Sequence, residues 1–205
     1  MSELRVLHHD DDIIVLNKEP NLLSVPGRYE PDCAQARLAQ VFDTVLVIHR
    51  LDQDTSGIIV FARHKAALTH IQQQFEKQTT RKTYEAIVYG RPPTRNGCIN
   101  MPIIVDWPNR PLQKISHSEG RYALTRWHIK EELEGRTRVA LFPKTGRSHQ
   151  LRLHMQQLGC AIVGDPLYAA DRAANEPRML LHARHLEFNH PATNKRLVFQ
   201  CPPDF

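Results

Sequence analysis

No Cys-x-x-Cys pair occurs in this chain, and its four cysteines, Cys33, Cys98, Cys160 and Cys201, are widely scattered. That spacing argues against a zinc ribbon or a thioredoxin-like redox site and fits free thiols in a reducing compartment. No apolar run reaches the length that crosses a bilayer, and no signal-peptide pattern is present, so a cytoplasmic protein without membrane contact is expected. The twelve histidines form no His-Glu-x-x-His or similar ligand cluster. His149 and His154 are offset on a helix, so no metal and no cofactor is expected. The acidic run Asp10 to Asp12 lacks the spaced acids and glycine of a calcium loop and reads as a solvated turn. Internal repeats and low-complexity tracts are absent.

What is present suits an ordinary soluble globule of one domain or two tightly fused halves, with 205 residues, 41% hydrophobic and 24% charged. Lys plus Arg exceed Asp plus Glu by 27 to 22, for a net charge of +5. This balance is compatible with a polyanionic partner without requiring one. Ile13 to Asn17 reads as a short buried strand, Pro20 to Pro31 as a loop, and Cys33 to Phe42 as a helix. His64 to Gln78 places Leu68, Ile71 and Phe75 on one helical face. Tyr84 to Tyr89 alternates as a strand ended by Gly90, and Arg91 to Pro111 reads as a loop-rich connection. Ala123 to Ile129 and Thr137 to Phe142 alternate as strands, and Ser148 to Leu158 reads as a helix stopped by Gly159. His182 to Phe188 and Leu197 to Cys201 close the chain as strands. Strands and helices mix without strict βαβ alternation, which predicts an α+β fold.

The segment His49 to Gly57, HRLDQDTSG, carries the most chemistry. It sets Asp52 and the nearby Arg50 in a Gly-terminated loop between two apolar runs, Val45 to Ile48 and Ile58 to Phe61. This is the pattern of an active-site loop on a rigid scaffold. A tight surface turn with solvated charges would give the same local pattern, so the rest of the chain has to decide.

The wording HRLDxxTSG resembles the catalytic-loop motif of the RluA family of pseudouridine synthases. Four further segments agree in order: Ile13 to Pro20 followed by Gly27, Arg81 to Ala86, Lys144 to Arg152, and Leu180 to Ala183. Asp106-Trp107-Pro108-Asn109-Arg110-Pro111 resembles the member of that family that modifies both ribosomal and transfer RNA. The resemblance implies the pseudouridine synthase fold, a long mixed, mostly antiparallel β-sheet flanked by helices with a central catalytic cleft. It implies a single catalytic domain over residues 1–205, with no separate N-terminal RNA-binding module. It also implies isomerisation of uridines in 23S ribosomal RNA and/or transfer RNA stem-loops, by a chain expected to be a monomer.

By that resemblance Asp52 is the nucleophile. A carboxylate is already ionised at neutral pH, so it needs positioning more than activation. Attack at ribose C1′ and a route through a glycal both remain open. Arg147 would hold Asp52 in an ion pair, its fork fixing the carboxylate's orientation. An arginine at a helix start is disfavoured by the helix dipole, which favours a specific anionic partner for it. Tyr84 would stack on the flipped base, with its hydroxyl available for proton transfer at C5. Arg50 would enter the space the uridine vacates. His49, Lys82, Arg152 and Trp107 are further candidate RNA contacts, and Leu180 and Leu181 would wall the base pocket. For most of these residues a core or solvated-surface role fits the sequence equally well.

Two other readings compete. Asp52-Gln53-Asp54 after an apolar run resembles the start of a haloacid-dehalogenase-like phosphotransferase. There the threonine comes four residues after the first Asp, whereas here Ser56 holds that place. A non-catalytic RNA-binding module or chaperone would share the composition, but has no use for a carboxylate in the path of an anionic RNA.

Overall fold

The computed structural model of the chain describes residues 4–205. It forms two compact units, the first made by the chain up to Lys82 together with His182–Asp204, the second by Thr83–Leu181 with Phe205. In chain order the elements are β1 (Arg5–His9), β2 (Ile13–Lys18), α1 (Ala34–Leu38), β3 (Leu46–Val47), β4 (Ser56–Ala62), α2 (Lys65–Glu76) and β5 (Arg81–Tyr89). There follow β6 (Asn96–Asn100), β7 (Ile103–Val105), a 3-10 turn (Trp107–Asn109), β8 (Gln113–Ile115), β9 (Leu124–Leu133) and β10 (Arg136–Pro143). The last elements are α3 (Gln150–Gln157), α4 (Ala170–Ala173), β11 (Leu181–Asn189) and β12 (Arg196–Gln200). This is the α+β mixture the sequence predicts.

In the first unit β2 lies antiparallel between β1 and β4, β3 is antiparallel to β4, and β12 is antiparallel to β11. The parallel pairing of β4 with β11, through His182–Ser56 and Ala183–Gly57, makes the sheet mixed. All seven residues of β4 are buried, which explains why this strand reads as a continuous apolar run instead of an alternating one. Helix α2 lays Ala67 and Ile71 on a core with Ile13, Val15, Val60 and Phe188, and Leu68 and Phe75 pack at its edge. Its start is fixed by His64, whose Nδ1 accepts the Ala67 amide.

The expected helix from Cys33 to Phe42 is shorter, because the amides of Val41 and Phe42 both return to the Leu38 carbonyl and close turns. The apolar run Val45 to Ile48 forms only the two-residue β3. The turn Asp10 to Asp12 is more than a solvated one. Burial pushes the Asp10 carboxyl up, but hydrogen bonds from His8, the amides of Asp12 and Ile13, and His190 hold it at about 2. Asp10, Asp12 and His190 lie close enough to share an ion. However, His190 Nδ1 accepts the amides of Ala192 and Thr193, so its proton sits on Nε2 and is donated to Asp10. No ring lone pair is left for a metal.

The second unit is an antiparallel sheet in the order β5-β10-β9-β6, with a separate β7–β8 hairpin. Helix α3 packs Leu151 and Met155 against Ala86, Val88, Trp127, Val139 and Leu141. Gly159, at φ +78°, ends the helix as the sequence predicts. The loop-rich stretch from Arg91 to Pro111 contains β6 and β7. β6 is held by pairing with β9 and not by its own Asn- and Gly-rich sequence. Gly97 lies under the Trp127 ring, and a methyl group placed there would meet ring carbons at 2.0 Å and 2.2 Å. Gly97→Ala is therefore expected to destabilise the protein by about 1–3 kcal/mol in chemical denaturation. An unchanged unfolding midpoint would show that the ring does not rest on this backbone.

Candidate active site

Asp52 is half-buried in a loop whose backbone is held from several directions. Its carbonyl accepts the Thr55 amide in a tight turn, at 3.1 Å. Directly before it, the Ser24 hydroxyl donates to the Leu51 carbonyl at 2.7 Å and accepts the Leu51 amide at 3.1 Å. Directly after it, Lys18 donates to the Gln53 carbonyl at 2.9 Å, and also to the carbonyls of Glu19 and Leu22. Ser24 and Lys18 are both buried, Lys18 to 1% exposure. Arg37 pairs with Glu19 and Asp32 and so braces the segment that carries Ser24.

The far end of the loop is fixed just as firmly. His182 Nε2 donates to the Cys201 carbonyl, so its Nδ1 accepts the Ser56 hydroxyl at 2.8 Å. Gly57, at φ +109°, runs so close to β11 that a Cβ would lie 2.4 Å from the Ala183 carbonyl oxygen. Only glycine fits there.

His49 has a structural place. Its Nε2 accepts the Val60 amide at 3.2 Å, and its ring stacks on Phe75 at 4.7 Å. Burial, with Lys82 nearby, holds its pKa at about 3, so the ring is neutral throughout the physiological range. Lys82 lies over the Phe75 ring at 5.7 Å. By contrast, Arg50 is exposed and, among the described residues, makes no hydrogen bond or ion pair.

In the second unit Tyr84 is half-buried on β5, opposite Leu141 of β10. The segment Lys144 to Arg152 contains two arginines with opposite environments. Arg147 donates through Nε to the Tyr122 carbonyl at 3.0 Å. Burial and the neighbouring Arg121 both hold its pKa below the ordinary arginine range. Arg152, expected as an RNA contact, is instead 2% exposed. Its Nε and Nη2 grip Asp165 at 2.8 Å each, and its guanidinium lies over the Tyr168 ring. A cation so buried needs an anionic partner, and Asp165 supplies one. Leu181 is core, Leu180 packs at a core edge, and Trp107 is 63% exposed with Arg110 stacked on it at 4.2 Å.

Ser24 and Asp165 carry no signal in sequence, because their partners lie 27 and 13 residues away. Lys18 belongs to a recognisable segment, yet nothing local shows that it reaches Gln53.

Comparison with known proteins agrees with this geometry. A family model described as RNA pseudouridylate synthase matches residues 12–157. The chain is 45% identical over 206 residues to the dual-specificity RNA pseudouridine synthase RluA of Escherichia coli strain K12, covering 98% of this chain and 94% of that protein. Against the protein of the same name from Vibrio cholerae it is 45% identical, covering 98% of this chain and 83% of the other. Among solved structures it is similar to human RNA pseudouridylate synthase domain containing 1. The TM-score is 0.85 at 27% identity, over 99% of this chain and 84% of that one. Its fold also matches domain containing 4, with a TM-score of 0.78 at 24% identity, over 98% and 89% of the chains.

Lys18 supplies a test of the loop anchor. Burial lowers its pKa from 10.5 to about 7, against the pull of Asp54, Asp52 and Glu19. Between these two values the unfolded chain binds more protons than the folded one, so folding stability rises with pH across that window. The unfolding free energy of the wild type minus that of Lys18→Met should therefore increase from pH 7 towards pH 10. Parallel curves for the two proteins would mean that Lys18 is not held as described.

Proposed function

The chain belongs to the RNA pseudouridylate synthase family, and from that footing we propose that it isomerises uridines of ribosomal RNA and transfer RNA, with Asp52 as the reacting carboxylate. The reaction cleaves the N1–C1′ bond, rejoins the ribose to C5 and expels the C5 hydrogen. It involves no net oxidation and no energy input. The observation that carries the assignment to Asp52 is the over-determined loop. Leu51 and Gln53, the residues on either side, are tied by buried side chains, so the carboxylate is presented from a fixed backbone. Displacement at a sugar carbon gains most from such placement, because a misplacement of about 1 Å can cost about a hundredfold in rate.

Tyr84 is proposed to stack on the flipped uracil, and Arg50, exposed beside Asp52, to fill the space the base leaves. Single-stranded loops are the usual targets of such reading. Trp107 offers a second stacking surface. For the cation that steadies the Asp52 carboxylate, burial favours Arg152 over Arg147. Arg152 is enclosed, and Asp165 fixes one edge of its fork, whereas Arg147 is committed to a backbone carbonyl. A carboxylate held away from water requires this kind of dry, oriented partner. His49 acts through the backbone of β4 and not on RNA. The protein is proposed to act as a monomer in the cytoplasm; no helix among the described residues is long and apolar enough to cross a membrane.

Tritium release from RNA labelled at uracil C5 tests the proposal, because release reports the new C–C bond itself. Wild type should release tritium from unmodified large-subunit ribosomal RNA and transfer RNA in the presence of chelator. Asp52→Asn should release none while still binding RNA. Arg152→Lys, which keeps a charge beside Asp165 but loses the fork, should fall by about a hundredfold. Release by Asp52→Asn would overturn the nucleophile, and a near-normal rate for Arg152→Lys would overturn the arginine assignment. A magnesium-dependent phosphatase activity would instead support the phosphotransferase reading.

A further inference from the structure

Arg121 and Arg147 converge on Tyr122. The Arg147 Nε donates to the Tyr122 carbonyl, and Arg121 precedes Tyr122 in the chain. The backbone there is pinned: Arg121 and Ile103 exchange both of their amide hydrogen bonds, at 2.8 Å and 3.0 Å. The Arg147 amide is held by the Gln150 side chain, which also reaches the Leu124 carbonyl and the Thr125 hydroxyl. Arg147 is thus held beside the residue that follows Arg121, whose charge, after burial, lowers the Arg147 pKa. Among the described residues no carboxylate pairs with either one. Tyr122, whose carbonyl Arg147 holds, has 52% of its surface exposed.

Such an arrangement is unfavourable in the protein alone. Like charges repel, and Arg147 is also partly desolvated by burial. The more enclosed arginines have an acid: Arg37 has Asp32 and Glu19, Arg138 has Glu85, and Arg152 has Asp165. An uncompensated cation pair beside an exposed ring is where an anion with an adjoining π-face would relieve the strain. We propose that Arg121 and Arg147 clamp a phosphodiester of the substrate RNA, with the neighbouring nucleobase stacked on Tyr122. This rests on the RNA reading above, and it gives Arg147 a role in binding and none in the chemistry.

The test is affinity for unmodified large-subunit ribosomal RNA and transfer RNA across a salt series, alongside the tritium-release rate at subsaturating and saturating RNA. Arg121→Gln and Arg147→Gln should each weaken binding several-fold. Each should reduce the slope of log affinity against log salt by about 0.7–0.9, the value for one phosphate contact. The tritium-release rate at subsaturating RNA should fall in step with the affinity. Arg147→Lys keeps the charge and drops the bond to Tyr122, so it should restore the slope. An unchanged slope in the glutamine variants would overturn the clamp. A fall in saturated rate at unchanged slope would return Arg147 to the chemistry. Wild type that neither binds nor turns over RNA would overturn the underlying reading instead.

Discussion

The structure depends on how the backbone around Asp52 is held. The Ser24 hydroxyl satisfies both polar groups of Leu51, and the Lys18 amino group donates to the Gln53 carbonyl. Both anchors are buried, so water does not compete for them, and a typical hydrogen bond contributes about 0.5–1.5 kcal/mol. The rest of the first unit follows from this demand. β4 must pass close enough to β11 that only glycine fits at position 57, and His182 must present a fixed tautomer to Ser56. A reacting carboxylate in a flexible loop would lose the advantage that orientation confers.

Charge is distributed to match. Buried ion pairs are matched where they stand, Arg152 by Asp165 and Glu85 by Lys130 and Arg138, whereas burial lowers the Lys18 pKa to about 7. Among the described residues Arg50, Arg121 and Arg147 have no acid partner, and Arg50 and Arg121 are exposed. A chain that binds a polyanion gains from leaving such cations unneutralised, at the cost of some self-repulsion. The modest net charge of +5 conceals this division.

Much of this was legible in the sequence, and the limits have a physical origin. The loop from His49 to Gly57, the helices α2 and α3 and the strand β5 are written in local periodicity and turn residues, and they fold where the sequence predicts. β6 was missed because it owes its existence to pairing with the distant β9, β7 because its short hairpin with β8 lies in a Pro- and Asn-rich stretch, and β1 because its residues are mostly half-buried and polar. The motif Lys144 to Arg152 was legible, but which of its arginines is enclosed was not. Only the packing of α3 and the position of Asp165 separate the two. His49 reads as an RNA contact beside Arg50, yet its ring closes the ladder next to Val60.

The most direct test of the account is to map pseudouridine by carbodiimide derivatisation and primer extension. Unmodified ribosomal and transfer RNA would be treated with the wild type or with Asp52→Ala. The account predicts new stops at a few defined uridines after treatment with the wild type and none after treatment with the variant. The same stops with both proteins would remove Asp52 from the chemistry, and no stops with either would contradict the assignment of isomerase activity on these RNAs.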